Sequence, residues 1–362
     1  MKIAYGYIYG RKERLLNKDY PEEMFYGYHY FLNKYGKVEI LEYEKSSSKI
    51  FTLFEKILIK ITKLPIFFSQ MTSVKNLKVI MSIDYLILSN DRLLFSLLPL
   101  LVCRKFKRKK LNVTVFAMNM IQEVDLSKIN IIKKFIMKQS YKLVNNFIFL
   151  GEGESTLAIK FFGSEEKINH IPFYVDNYFW FNQRKLERDG ILFVGNDSNR
   201  EFDKVAKLAN YFKEIKFTII SKHLEEEDFK YNNVEFIKGS WGNQKISDSE
   251  LKSIYSKSKL VIIPLIESFQ PSGQSVTLQA MALKTPVLIS RTSGFWDKSN
   301  FHDMINIFFA SDNSLNGWIQ KINDLYNNPA VLNKVGEEGY KLIQKEYSKE
   351  VFEKKLSNIV GI

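Results

Sequence analysis

Short β-rich runs separated by helix-length amphipathic stretches recur along this 362-residue chain in two successive series. The first series has β-rich runs at 3–9, 38–43, 85–89, 113–117 and 146–150. Between them lie stretches with apolar residues at helical spacing, among them 22–35, 50–68, 93–107 and 128–143. A further strand and aromatic turn at 168–180 leads through a polar connector at 182–189 into the second series. That series predicts strands at 191–194, 216–220, 234–237, 260–264, 286–289 and 305–309, with helices at 201–213, 248–256, 274–283 and 315–327. Two charged amphipathic helices, 329–346 and 349–359, close it. Strands that each return through a helix pair in parallel, so the fold class expected is α/β, two tandem Rossmann-like doubly wound domains. The length exceeds one typical core, and 45% apolar with 14% aromatic residues can fill two. The expected division is an N-terminal domain at 1–182, a C-terminal domain at 183–346, and a closing helix at 347–362 that packs back toward the first. Ligands of open α/β sheets sit outside the carboxyl ends of the strands, so an interdomain cleft is expected where two such edges face each other.

One segment of the second series is built to hold an anion. Pro271-Ser272-Gly273-Gln274-Ser275 is a small-residue loop running into Val276-Thr277-Leu278-Gln279-Ala280-Met281-Ala282, followed by the apolar run Pro286-Val287-Leu288-Ile289. Ser272, Gly273, Gln274 and Ser275 stand at the helix start, where unpaired N–H groups and the positive end of the helix dipole favour phosphate. Gly273 lets a ligand come close to the main chain. A nucleotide or sugar nucleotide is the ligand this predicts.

The formal charge of +13 is uneven: residues 1–184 carry 29 Lys+Arg against 17 Asp+Glu, a net +12, leaving +1 for the remainder. Such a field attracts polyanions, so anionic lipid surfaces, phosphorylated acceptors and nucleic acid are weighed against a merely solvated lysine-rich face. Nucleic acid is disfavoured, because no interleaved aromatic and basic motif of the single-strand-binding kind is found. Much of the excess lies in Arg104-Lys105-Phe106-Lys107-Arg108-Lys109-Lys110, directly after the apolar run from Leu93 to Cys103. That run is shorter than the roughly 20 residues a bilayer span needs, which leaves an interfacial contact open. Cys103 is the only cysteine, so neither an internal disulfide nor a thiolate zinc cluster can form within one chain, and a reducing compartment fits. The opening residues, Met1 to Gly10, have no long apolar signal core. The expected location is cytoplasmic, soluble or peripheral on the inner face of a membrane.

The second half resembles the nucleotide-sugar-binding domain of the GT-B glycosyltransferases, in particular the family-4-like retaining group. The features that agree in order are Leu192-Phe193-Val194-Gly195, then Ser258-Lys259-Leu260-Val261-Ile262-Ile263-Pro264-Leu265, the 272–289 segment, and the terminal Tyr347-Ser348-Lys349-Glu350-Val351-Phe352. Over 1–180 only the architecture and Ile171-Pro172-Phe173-Tyr174-Val175-Asp176 are similar. The resemblance implies a transferase that moves a sugar from a nucleoside diphosphate donor to a hydroxyl of a glycan or lipid-linked acceptor. It further implies retention at the anomeric carbon and a role in surface polysaccharide or glycoconjugate synthesis. No cofactor is expected beyond the nucleotide sugar, and no metal, since no Asp-x-Asp triplet occurs. The alternative is a catalytically silent sugar-nucleotide-binding or scaffold protein.

The resemblance also distributes roles, and the chain departs from the pattern at several. The family's paired glutamates are replaced: Gln279 precedes Ala280-Met281-Ala282, and Pro271 stands eight residues earlier. Gln279 is expected to bond a ribose hydroxyl as a neutral amide, and Glu267 is the nearest carboxylate for the donor sugar. Of the two cations that follow the domain's first strand in the family, Gly195 and Asn196 leave only Arg200, whose planar guanidinium suits a diphosphate. Gly239 and Ser240 are expected near the base and ribose. In the first domain Gly10 and Arg11 occupy the turn after the first strand, and Asn119 stands where the family often has a histidine. Asn119 is read either as a hydrogen-bond donor to the ligands or as a cap of its own turn. Residues 19–23 read as a helix cap, and His29 is the acceptor-side candidate on the helix that follows.

Overall fold

The computed structural model describes residues 1–16, 19–44, 49–107, 110–118, 120–121, 125–181, 187–239 and 245–362. The chain divides into two compact units. One comprises Met1–Lys18, Met24–Ile171 and Glu353–Ile362; the other comprises Asp19–Glu23 and Pro172–Phe352.

In the first unit, β1 (Ile3–Tyr7), β2 (Val38–Glu42), β3 (Tyr85–Leu88), β4 (Asn112–Ala117), β5 (Asn146–Phe149) and β6 (Ile168–His170) form one sheet in the order β2-β1-β3-β4-β5-β6. Every pairing is parallel. Helices cover both faces, so β1 is buried along its whole length, and its sequence is a continuous rather than an alternating apolar run. Residues 353–362 also belong to this unit, where Asn146 Nδ2 donates to the Ile359 carbonyl at 3.1 Å.

Two expectations change here. The apolar run after residue 92 is core: within the helix Asp91–Phe106, Leu93, Leu94, Phe95, Leu97, Leu100 and Leu101 are all buried. Arg104 follows them inward, its guanidinium donating to the carbonyls of Ile80, Ile83 and Lys110. The basic run is therefore partly a structural clamp, and the interfacial contact considered at this place is not available to the buried run. The helix expected over 22–35 is broken into a 3-10 turn, Glu22–Phe25, and a helix, Tyr28–Tyr35. Tyr26 (φ 51°) and Gly27 (φ 81°) take left-handed conformations between them, which Gly27 adopts without steric cost.

In the second unit, β7 (Asp189–Val194), β8 (Phe217–Ser221), β9 (Val234–Lys238), β10 (Ser258–Ile263), β11 (Val287–Ser290) and β12 (Phe308–Ala310) form an all-parallel sheet ordered β12-β11-β10-β7-β8-β9. The chain winds outward through β8 and β9, returns to the middle at β10, and winds the other way. At the β7–β10 junction the connections leave in opposite directions, and this is the crevice where doubly wound sheets take ligands. The helix Gln274–Ala282 follows β10, and among its residues only Ser275 is not buried.

The helix Pro329–Leu342 comes so close to the 284–286 turn that a Cβ added at Gly336 would lie 2.4 Å from the Lys284 carbonyl oxygen. Because that neighbour is backbone, it cannot rotate aside. Gly336→Ala is expected to destabilise the second unit by about 1–3 kcal/mol, read as a lower urea midpoint of its unfolding transition.

Candidate functional site

The turn after β7 is stitched to the exit of β10. Glu201 N donates to the Pro264 carbonyl and Ile266 N to the Asn199 carbonyl, both at 3.0 Å, around a bridge between Arg200 and Leu265. This fixes the backbone of Arg200 and sends its side chain back over Gly195, where an added Cβ would sit 2.7 Å from Nε. On the other side, an added Cβ at Gly273 would lie 3.1 Å from Arg200 Nη1. Gly273 holds φ 82° as the N-cap of the helix Gln274–Ala282 and supplies no side-chain cap. The guanidinium therefore lies between two glycines at an uncapped helix start.

Electrostatics make this arrangement unusual. Arg200 is only 5% exposed. Its Nε is 2.9 Å from Asp197 Oδ2, while Nη1 is buried with no hydrogen-bond partner among the described residues. Burial lowers its pKa, and the Asp197 carboxylate and the Tyr255 hydroxyl oppose that shift; the group stays cationic, as guanidinium does in proteins. A buried, under-paired cation is costly, and the helix amides add positive partial charge beside it. An anion seated there would relieve both.

The surrounding polar groups hold the loops in place. Asp197 Oδ1 accepts from Ser272 Oγ at 3.0 Å and from Asn199 N at 3.2 Å, and Asn199 Nδ2 donates to Ser272 Oγ at 3.0 Å. Asn196 clamps the exits of β8 and β9, donating to the Gly239 carbonyl at 3.0 Å and accepting from Lys222 N at 2.7 Å. Gly195, Asn196, Arg200, Gly239, Ser272 and Gly273 are thus linked in one cluster, with Gln274 and Ser275 opening the helix that Gly273 caps.

Further along that helix, a second buried network surrounds Gln279. Its Nε2 donates to Glu23 Oε1 at 3.0 Å and its Oε1 accepts from Tyr255 OH at 3.3 Å. Trp180 Nε1 donates to the same Glu23 oxygen at 2.7 Å, and Asp176 N to the other at 3.0 Å. The Gln279 amide is thereby engaged with protein groups. Desolvation pushes the Glu23 pKa up to about 7, the hydrogen bond from Gln279 opposes this, and Asp176 reinforces it. A carboxylate at position 279 would set two buried anions at hydrogen-bond distance, whereas an amide donates to the first. The departure at Gln279 has its physical reason in Glu23.

Glu267 is exposed, and its Oε1 accepts from Ser293 N at 2.8 Å. In the first unit, Gly10 is an exposed left-handed N-cap, Arg11 Nε donates to the Met24 carbonyl at 3.2 Å, and His29 packs edge-on against Phe25 and Tyr28. Asn119 and Ser240 lie outside the described residues. Sequence reasoning missed Glu23, read as a helix cap, because its partners are 153 to 256 residues away. It also missed Asp91, buried at a helix start, where its carboxylate accepts from Met118 N at 3.1 Å and burial raises its pKa to about 6.

No protein-family model matches this sequence, and no curated protein does. Solved structures are similar at low identity. Sucrose-phosphate synthase from Thermosynechococcus elongatus matches with a TM-score of 0.66 at 11% identity, covering 99% of this chain and 98% of that one. HepE of Anabaena, solved with UDP, matches at 0.65 and 10% identity over 100% of both chains. An α-glucosyltransferase, solved with UDP-glucose and DNA containing an abasic site, matches at 0.63 and 13% identity, again over 100% of both. The likeness shows the fold, which is GT-B.

The Glu23 network gives a pH signature. The native carboxyl titrates near 7 against an ordinary value of 4.5, so the folded state holds its proton more tightly than the unfolded one. Stability from this group is full below the unfolded pKa and is lost as pH rises through the folded one. The second unit should lose about 1 kcal/mol between about pH 6 and 8, measured by urea unfolding, and Glu23→Gln should flatten that slope.

Proposed function

We propose that this chain, on its GT-B fold, is a glycosyltransferase that moves a sugar from a nucleoside diphosphate donor to a hydroxyl of a glycan or lipid-linked acceptor. The observation that carries the reading is the buried Arg200 guanidinium, with Nη1 unpartnered among the described residues, beside the uncapped start of the helix Gln274–Ala282. A diphosphate is the anion whose size and charge suit a cation and a helix start together. HepE is solved with UDP and the α-glucosyltransferase with UDP-glucose, which supports a donor of that class.

Charge development gives the site its work. As the bond from the anomeric carbon to the diphosphate breaks, negative charge gathers on the leaving oxygen. Arg200 and the first-turn amides meet that charge without reorganising, so they stabilise the transition state more than the ground state. Packing over Gly195 and the ion pair with Asp197 hold the guanidinium ready. In this scheme neutralisation of the leaving group falls to Arg200 rather than to a metal, the anomeric configuration is retained, and the base and ribose lie toward Gly239. The first unit takes the acceptor, and the product belongs to surface polysaccharide or glycoconjugate synthesis.

Incubation with UDP-, GDP-, ADP- and CDP-linked sugars should give turnover with at least one. Arg200→Ala should lower kcat by about 10²–10³, and Arg200→Lys should recover only part, since an ammonium lacks the planar fork. Gly273→Val should prevent donor binding, by strain at φ 82° and by crowding the anion seat. Binding without turnover would instead identify a silent binder, and Arg200→Ala transferring at the parental rate would remove the assignment.

A further inference from the structure

We infer that the first unit docks on anionic lipid bilayers through the outward face of the helix Lys49–Thr62, together with the start of the helix Ile131–Tyr141 beside it. The first of these helices is inverted relative to an ordinary surface helix. Ile50, Leu53, Phe54, Ile57 and Ile61, spaced as one helical stripe, are each between 47% and 81% exposed. Its inward positions include the polar Glu55 and Thr62 instead. Glu55 accepts from Ser69 N, and Thr62 Oγ1 donates to the Leu58 carbonyl and accepts from Leu64 N. Those bonds fix the rotation of the helix, so the apolar stripe cannot turn inward without leaving buried polar groups unpaired. The neighbouring helix adds Ile131, Ile132 and Phe135, also exposed. Soluble monomers rarely expose contiguous apolar surface of this extent without a use for it.

Charge identifies the occupant. At 3.6 residues per turn, Lys49, Lys56 and Lys60 fall along one border of the stripe, and all three are exposed. Lys134 and Lys138 are exposed on the second helix. The only carboxylate on either helix is Glu55, which is turned inward. An apolar stripe bordered by lysines and free of outward acids is the pattern of a helix lying in the headgroup layer, with the ammonium groups reaching anionic phosphates while their stems stay in the apolar region. No helix among the described residues is long and apolar enough to cross a membrane, so the contact is interfacial.

The test is co-sedimentation of the full chain with vesicles of phosphatidylglycerol and phosphatidylcholine, or of phosphatidylcholine alone. The wild-type chain should pellet with the anionic vesicles, less so at high salt. Replacing both apolar residues, Ile57→Glu with Ile61→Glu, should cut the partition coefficient about ten-fold or more. Lys56→Glu with Lys60→Glu should do the same on anionic vesicles. The second pair gives an independent reading should the first disturb folding. Both pairs are exposed, so far-UV circular dichroism and Tm should match the parent. Three results would overturn the inference: a wild-type chain that stays in the supernatant, variants that partition like the parent, or a dimer dissolved by the isoleucine changes without vesicle binding, which would assign the stripe to a second copy. Vesicle binding needs no donor sugar, so its failure and failure of the transferase reading are separately visible.

Discussion

A guanidinium held out of water between two glycines organises the second unit. Gly195 lets the Arg200 side chain fold back over the end of β7, and Gly273 lets the helix after β10 start close to Nη1. The backbone bonds that join the β7 and β10 exits keep that position. The crevice results from topology, because the winding direction reverses between these two strands. Its sign comes from Arg200 and from a helix start that Gly273 leaves without a side-chain cap. Placing a cation there without a full set of partners costs stability, and the cost is understandable if the missing partner is a ligand.

The network around Glu23 shows a different constraint on the same helix. Glu23, Trp180, Tyr255 and Gln279 fill one buried polar site in which the donors and acceptors match. The site tolerates one ionisable carboxyl, and the neutral amide at 279 completes it. A two-position motif read along the helix sees only a missing carboxylate. The three-dimensional arrangement supplies one from residue 23, which belongs to the second unit although it lies early in the chain. The Arg200 and Glu23 clusters both approach Tyr255, whose hydroxyl burial drives to a high pKa and keeps protonated.

The first unit shows where sequence pattern misleads. The runs at 93–103 and 50–61 are both apolar and both helical, and the basic residues after the first made it the natural membrane candidate. The structure buries the first run beneath Arg104, whose guanidinium is spent on backbone carbonyls, and turns the second outward. Amphipathicity reports that one face differs from the other. It does not report which face the neighbouring elements cover, and here Ser69 N waiting for Glu55 decides it.

Much of the fold was legible because its signals are local. Alternating β-rich and helical runs require parallel sheets, and all twelve strands form within the two six-stranded sheets. The helix start at Gly273 was legible for the same reason, since a small-residue loop before a helix exposes amides whatever surrounds it. The cation was legible only as a residue type in a turn after a strand; that Arg200 is buried and under-paired depends on two glycines and on strand order. The partnership of Glu23 with Gln279 and the outward rotation of the helix Lys49–Thr62 were not legible at all. Each rests on hydrogen bonds whose partners the folded chain, and not the local sequence, brings within 3 Å or so. Sequence set the elements and the chemistry available to them; tertiary structure decided which polar groups lost their water, and so which were left to bind something else.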